Sequence, residues 1–164
     1  MNDGSAKPVN VVDTSALVDW HDRYYPTDVF PTLVDLVDGL IQDGRLMSVE
    51  IVHDELTIVA SSGLQMWAKQ RRSIFDSTKN HLTEALAIEG SYPALKDPNA
   101  QFDEADAYVI ALAQLQGAVV VTAETPAAHK RKPKRSMYIP DVCAALGMAC
   151  ISNIGMMRRE GWSL

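Results

Sequence analysis

The chain has 164 residues, 47% of them hydrophobic and 22% charged, which predicts one globular domain over residues 1–164 with its core at about 9–160. The formal net charge of −6 argues against a protein that coats nucleic acid through its overall charge. No apolar run approaches the roughly 18 residues of a membrane span, and the N-terminus lacks the pattern of a signal peptide, so we expect a cytoplasmic protein with no membrane partner.

Strand and helix signals alternate along the first half of the chain. A short β-branched run at 9–12 ends at Asp13, which predicts a buried strand, a turn and the start of a helix. Residues 90–100 contain two prolines and are predicted to be a loop. The other predicted elements of this half are a helix at 29–42, a strand at 45–49, a helix at 50–60 and one long helix at 64–88.

The second half repeats the alternation. Its predicted elements are a helix at 103–116, a strand at 118–122, an extended piece at 137–139, a helix at 140–147, a strand at 148–151 and a closing helix through 159. The strands are continuously apolar, as in AVVVT at 118–122. Such strands are typical of a parallel sheet that helices cover on both faces, so the fold class is predicted to be α/β.

Two acidic residues follow predicted strands. Asp13 comes directly after the first strand, and Glu124 lies two residues beyond Thr122. Ligands of open α/β sheets bind beyond the carboxyl ends of the strands, which makes both residues candidates for a site. The alternative is that each acid merely caps the helix that follows.

Two predicted helices direct an acid toward their apolar side. Glu55 lies in the apolar stripe of its helix beside Ile51, and Asp106 is flanked by Val109 one turn on. Asp103 lies about 60° from Asp106 and is a candidate second inward acid. A carboxylate that faces the core is costly unless a cation or a facing partner compensates it. The alternative to a bound cation is a buried ion pair with Arg or Lys.

Convergent carboxylates stay ionised together only with a counter-charge. Ligands that are all oxygen favour a hard cation, so the predicted cofactor is Mg²⁺ or Mn²⁺. Such a cation suits phosphoryl chemistry, because it activates water and stabilises the leaving oxygen.

Four motifs extend over most of the chain: VVDTSAL at 11–17, Ser48 with DEL at 54–56, EADAYVIALA at 104–113 and GAVVVTAE at 117–124. Together they resemble the PIN domain, the nuclease fold of VapC-type toxins. The segment IPDVC at 139–143 is similar to a PIN-like subgroup of unassigned function. The resemblance covers about residues 9–160 and implies a three-layer α/β/α sandwich with a central parallel sheet and an acidic Mg²⁺ or Mn²⁺ site.

The resemblance also implies roles for individual residues. The predicted catalytic residues are Asp13, Glu55, Asp106 and Glu124. The metal ligands are the first three of these, because the family often has a shorter Asp where this chain has Glu124. The predicted supporting residues are Ser15, Asp103, Thr122 and Asp141. Asp141 either replaces or adds to the fourth acid, or it lies in the first turn of a helix beside Pro140, which we prefer.

The activity that the resemblance implies is metal-dependent cleavage of RNA phosphodiesters. We therefore expect an endoribonuclease that is the toxin of a toxin–antitoxin pair, with RNA as substrate. Its candidate protein partners are a cognate antitoxin and a second copy of the chain. One alternative is a PIN-fold module that binds RNA or protein without cleaving it. Another is a metal-dependent phosphatase or structure-specific DNA nuclease on the same fold.

Residues 129–135, which we call the basic strip, contain five of the fifteen Lys and Arg residues. The strip comes after the strand predicted at 118–122 and after Glu124, so it can lie over the acidic edge of the sheet. The predicted RNA-binding residues are Lys130, Arg131, Lys132, Lys134 and Arg135. Their role would be phosphate capture, with affinity that falls as salt rises. A solvated loop and a docking site for an acidic partner are the alternatives.

Overall fold

The computed structural model describes residues 6–101 and 104–164, so the prediction for Asp103 lies outside the described residues. The chain begins with β1 (Asn10–Val12), α1 (Thr14–Val18) and a π-helical turn (Asp19–Tyr24). The later elements are α2 (Pro31–Gln42), β2 (Leu46–Val49), α3 (Glu50–Val59), α4 (Ser62–Gln70), β3 (Phe75–Asp76), α5 (Leu82–Ser91), α6 (Asp106–Gln116), β4 (Val119–Val121), α7 (Ile139–Leu146), β5 (Cys150–Ile151) and α8 (Asn153–Glu160).

The strands form one parallel sheet in the order β3-β2-β1-β4-β5. In the central pairing, Asn10 lies opposite Leu46 of β2 and Val119 of β4. The chain therefore builds outward from β1 in one direction and then crosses back to add β4 on the other side. Ligands of open α/β sheets bind where the strand order reverses in this way, which here is the edge beyond the carboxyl ends of β1 and β4.

Helices cover both faces of the sheet, and the predicted α/β/α sandwich is confirmed. α6 packs on β1, β2 and β4, with α5 and α7 against it, while α2 and α3 pack on β2. The last helix, α8, lies beside α1, where the side chain of Asn153 donates to the backbone carbonyl of Ala16 at 2.9 Å. All three residues of β1 and of β4 are buried, and all of them except Asn10 are valines, as expected of strands that helices cover on both faces.

The helix predicted at 64–88 is wrong. Two helices, α4 and α5, occupy this region, and the two-residue strand β3 lies between them at the edge of the sheet. Phe75 of β3 pairs with Ser48 of β2 and is buried. This short strand is the edge strand that completes the sheet. A strand of this length is too short to show an alternating pattern.

The extended piece predicted at 137–139 is also absent from the described strands. Tyr138 is the N-cap residue of α7, and Ile139 is the first residue of that helix. The predicted end of α6 is confirmed, because Gly117 has the left-handed backbone conformation (φ 58°) that closes a helix. Among the described residues, none of the helices has the length and apolar character that crossing a bilayer requires.

Candidate active site

A cleft of about 510 Å³ lies beyond the carboxyl ends of β1 and β4. Its walls come from the starts of α1 and α6, from α3 and from the segment after β4, including Lys130 and Arg135 of the basic strip. The acids that line it are Asp13, Asp19, Glu55, Glu104, Asp106 and Glu124. The structure thus brings all four predicted catalytic acids to one cleft, although they are far apart in the sequence.

Asp13 is the most buried of these acids, with 4% of its surface exposed. It caps α1 by accepting a hydrogen bond from the backbone N–H of Ala16 at 2.9 Å. The hydroxyl groups of Ser15 and Thr122 also donate to its carboxylate, each at 2.9 Å. Burial raises the pKa of Asp13 to about 7, and the negative charge of Glu124 adds to the rise, against the effect of the hydrogen bonds.

Ser15 and Thr122 connect the start of α1 to the segment after β4. Their hydroxyl oxygens lie 3.2 Å apart. The Ser15 hydroxyl accepts from the backbone N–H of Ala123, and the Thr122 hydroxyl accepts from that of Glu124, both at 3.0 Å. These contacts fix the position of Asp13.

Glu55 extends from α3 into the cleft. One carboxylate oxygen accepts from the backbone N–H of Ala105 at 2.9 Å, and the hydroxyl of Thr14 donates to the other. Burial raises the pKa of Glu55, and the charges of Glu104 and Glu124 raise it further. The compensation that an inward acid requires is therefore a pair of hydrogen bonds rather than a cationic side chain.

Asp106 is the first residue of α6, where the helix dipole favours a negative charge. Burial raises its pKa well above the ordinary value, and the charges of Glu124 and Asp13 act in the same direction. The guanidinium of Arg135 opposes this rise, because its Nη1 donates to Oδ2 of Asp106 at 3.1 Å. For Asp106, the ion pair named as the alternative is therefore present.

Arg135 comes from the end of the basic strip, and sequence reasoning did not identify its place in the cleft. Its side chain is only 12% exposed and reaches Glu104 at 3.5 Å and Glu124 at 3.4 Å as well as Asp106. In this arrangement Arg135 faces carboxylates rather than solvent. Sequence spacing cannot reveal such a contact, since it depends on how the segment after β4 folds back over the sheet edge.

The rest of the basic strip differs in exposure. Lys130 lines the cleft, with its ammonium group 4.4 Å from the centre of the Tyr138 ring. Arg131, Lys132 and Lys134 have exposed side chains. These three remain available to an anionic partner.

Glu124 and Asp141 both contact the start of α7 but differ in role. Glu124 accepts from the backbone N–H of Ile139 at 3.1 Å with one oxygen and faces Arg135 with the other. Asp141 accepts from the backbone N–H groups of Tyr138 at 2.8 Å and Ala127 at 3.0 Å. Asp141 therefore caps α7, as preferred in the sequence analysis.

The donor chemistry of the cleft fits a hard divalent cation, because its buried side chains offer carboxylate oxygens. As the side chains stand, no three His, Cys, Asp or Glu residues within 6–101 and 104–164 form a group that could hold a metal ion. The positive charge among the carboxylates of Asp106 and Glu124 is supplied by Arg135.

A second groove of about 500 Å³ adjoins the acidic cleft and shares Glu55 and Glu104 with it. Ile58 and Val59, near the end of α3, line this groove and are 68% and 58% exposed. Both residues belong to the apolar stripe of the predicted helix, which predicts that they are buried. In the structure they are instead exposed beside the acids.

A family model described as Domain of unknown function (DUF4411) matches residues 10–164. The match includes every strand of the sheet and all four predicted catalytic acids. No curated protein matches the chain.

Proposed function

The chain belongs to the DUF4411 family, and since that description assigns no activity, we propose from the site that it is a Mg²⁺- or Mn²⁺-dependent endoribonuclease. The observation that carries the proposal is the convergence of Asp13, Glu55, Asp106 and Glu124 on one cleft. This cleft lies at the reversal of strand order, where α/β sheets bind ligands. The PIN-domain motifs described above support the same activity.

Asp13, Glu55 and Asp106 would hold the cation. When bound, a divalent cation neutralises charge on a phosphoryl oxygen and promotes the deprotonation of water. Ser15 and Thr122 keep Asp13 in place through their hydroxyl groups. Glu124 is the acid whose longer side chain holds the start of α7, so we assign it a supporting contact rather than direct ligation.

RNA is the substrate that the surface around the cleft favours. Lys130 at the cleft and the exposed Arg131, Lys132 and Lys134 would contact backbone phosphates. The exposed Ile58 and Val59 offer an apolar surface beside the acids on which an unstacked base can lie. We extend the proposal to a cytoplasmic toxin with a cognate antitoxin, and to a homodimer, on the strength of the PIN resemblance.

A second candidate function is a module that binds RNA or protein without cleaving it. The observation that favours it is the ion-pair set of Arg135, which neutralises part of the acidic cleft from within the chain. Such a module would bind its partner equally well with and without a divalent cation.

The test is cleavage of a labelled single-stranded RNA in the presence of Mn²⁺. Asp13→Asn, Glu55→Gln and Asp106→Asn should each lower the cleavage rate by about a hundredfold or more, because each removes a charged oxygen ligand. Asp54→Asn is the matched control, since Asp54 is an exposed acid next to Glu55 on α3. Unchanged cleavage by folded Asp106→Asn would contradict the proposal, and Mn²⁺ binding without cleavage of RNA or DNA would favour the binding module.

A further inference from the structure

The guanidinium of Arg135 lies at the meeting point of three carboxylates. Its Nη1 is 3.1 Å from Oδ2 of Asp106 and 3.5 Å from Oε2 of Glu104, and its Nη2 is 3.4 Å from Oε1 of Glu124. A single planar cation thus contacts α6, the segment before it and the segment after β4. With 12% of its side chain exposed, Arg135 is part of the cleft wall.

Contacts with Tyr138 and Leu95 also hold the guanidinium in this position. It lies 4.5 Å from the centre of the Tyr138 ring, a cation–π distance, and it donates to the backbone carbonyl of Leu95. The hydroxyl of Tyr138 also accepts from the backbone N–H of Lys134 at 3.1 Å, which brings the end of the basic strip down onto the site. The side chain of Arg135 is therefore held by protein groups on several sides, unlike that of an arginine exposed to solvent.

A divalent cation on Asp106 would lie close to this guanidinium. Two positive groups on the same buried carboxylate repel each other strongly, because the low polarity of the site screens them poorly. We propose that Arg135 is an internal competitor of the divalent cation, which lowers the cation affinity of the cleft and leaves the carboxylates when the cation binds. This inference rests on the proposed function, since it concerns the same acids.

Because the divalent cation and the guanidinium of Arg135 compete for the same carboxylates, each weakens the binding of the other. Whatever holds Arg135 on the carboxylates weakens cation binding, and whatever engages Arg135 elsewhere strengthens it. A phosphate group of the RNA is such an engagement, since a guanidinium forms paired hydrogen bonds with phosphate. Cation loading would therefore free Arg135 for the substrate, so that the cation and the RNA bind cooperatively.

The test is calorimetric titration of Mn²⁺ into wild type, Arg135→Gln and Arg131→Gln without RNA. Arg135→Gln should bind Mn²⁺ about tenfold more tightly, within the usual range of coupling between two sites. Arg131→Gln removes the same charge from an exposed position of the basic strip and should leave the affinity within about twofold, because exposed charges are well screened. Equal or weaker Mn²⁺ binding by folded Arg135→Gln overturns the inference.

Two further measurements test the inference if Arg135→Gln does not fold and by a method other than calorimetry. Arg135→Lys keeps the charge but loses the planar fork, so it should bind Mn²⁺ more tightly than wild type but less tightly than Arg135→Gln. If Arg135→Gln fails to fold by circular dichroism, the lysine variant decides, and an affinity equal to that of wild type overturns the inference. Hydrogen exchange provides an independent readout, since Mn²⁺ should reduce protection at residues 134–138 in wild type only.

The Mn²⁺ titrations distinguish a failure of the inference about Arg135 from a failure of the proposed function. If wild type binds Mn²⁺ and Arg135→Gln gains nothing, the inference fails while the proposed function stands. If neither folded wild type nor folded Arg135→Gln binds Mn²⁺, the proposed function fails and the inference with it.

Discussion

The carboxyl group of Asp13 is buried, accepts hydrogen bonds from Ala16, Ser15 and Thr122, and still has a pKa of about 7. Burial outweighs the hydrogen bonds, because transfer of a charge out of water is more costly than a few polar contacts return. In the absence of a cation, the folded chain therefore holds a proton on Asp13 at pH values where the unfolded chain has lost it.

This difference predicts that the metal-free protein loses stability as pH rises. The ordinary pKa of Asp13 is 3.8 and its folded value is about 7, so its contribution is full below about pH 4 and is lost as pH approaches and passes 7. The loss can reach about 4 kcal/mol, since a tenfold change in proton affinity corresponds to about 1.4 kcal/mol. Urea unfolding at pH 5 and pH 8 in a chelator should show about 3 kcal/mol of this loss, because the part below pH 5 has already occurred at the lower pH.

Asp13→Asn is the control for this pH dependence. The amide does not titrate, so the variant should lose less stability than wild type between pH 5 and pH 8. Saturating Mn²⁺ should likewise reduce the loss in wild type, because a cation stabilises the ionised carboxylate. Identical pH profiles for wild type and Asp13→Asn would show that Asp13 does not carry the effect.

Thr122 provides a second prediction at the scale of one residue. Thr122→Val removes a hydroxyl that donates to Asp13 at 2.9 Å and accepts from the backbone N–H of Glu124 at 3.0 Å. The variant should lose about 1–3 kcal/mol of unfolding free energy, since a buried donor and acceptor lose their partner. Thr125→Val, an exposed change in the same segment, should lose less than about 0.5 kcal/mol in the same urea titration.

Helix starts position three of the acids of the cleft. Asp13 caps α1, Asp106 opens α6, and Glu55 accepts the backbone N–H of Ala105 just before α6. Unpaired N–H groups at the first turns of helices favour nearby negative charge, so these positions offset part of the cost of burying a carboxylate.

Asp141 tests the distinction between a helix cap and a metal ligand. Asp141→Ala should cost about 1 kcal/mol of unfolding free energy, because it removes the acceptor for the N–H groups of Tyr138 and Ala127. Its Mn²⁺ affinity should stay within about twofold of wild type, since affinity depends on the acids that line the cleft. A loss of Mn²⁺ binding in a folded Asp141→Ala protein would instead make Asp141 the fourth acid of the site.

The sequence predicts those elements and acids whose signals are local. Glu55 and Asp106 interrupt apolar helical stripes, and Asp13 and Glu124 follow buried strands, so spacing alone selects them. β3 has two residues and no periodicity that could reveal it. The position of Arg135 depends on partners from several distant segments, and no local pattern carries that information.

At the scale of the whole molecule, an acidic protein presents one basic strip beside its acidic cleft. The net charge of −6 repels RNA at a distance, and the exposed part of the strip has to provide the attraction. The fold brings the strip and the cleft together, because the segment after β4 begins where the strand order reverses. Lys130 and Arg135 of this segment line the cleft at that edge of the sheet.

The double variant Arg131→Gln with Lys132→Gln should weaken RNA binding in a salt-dependent way. In an Asp13→Asn background that prevents cleavage, the slope of log affinity against log salt should fall by about 1.4, if each residue contacts one phosphate of a single strand. Fluorescence anisotropy with a labelled RNA measures the slope. Lys79→Gln with Arg158→Gln removes two exposed charges elsewhere and should leave the slope unchanged. Equal slopes for both double variants would assign the strip no phosphate contacts.

The most direct test of the central claim is a crystal structure determined with Mn²⁺, using the anomalous scattering of manganese to locate the ion. We expect a peak in the cleft within about 2.5 Å of carboxylate oxygens of Asp13, Glu55 and Asp106. In the same crystals the guanidinium of Arg135 should have moved away from Asp106. A peak elsewhere on the surface, or an empty cleft at saturating Mn²⁺, would contradict the account.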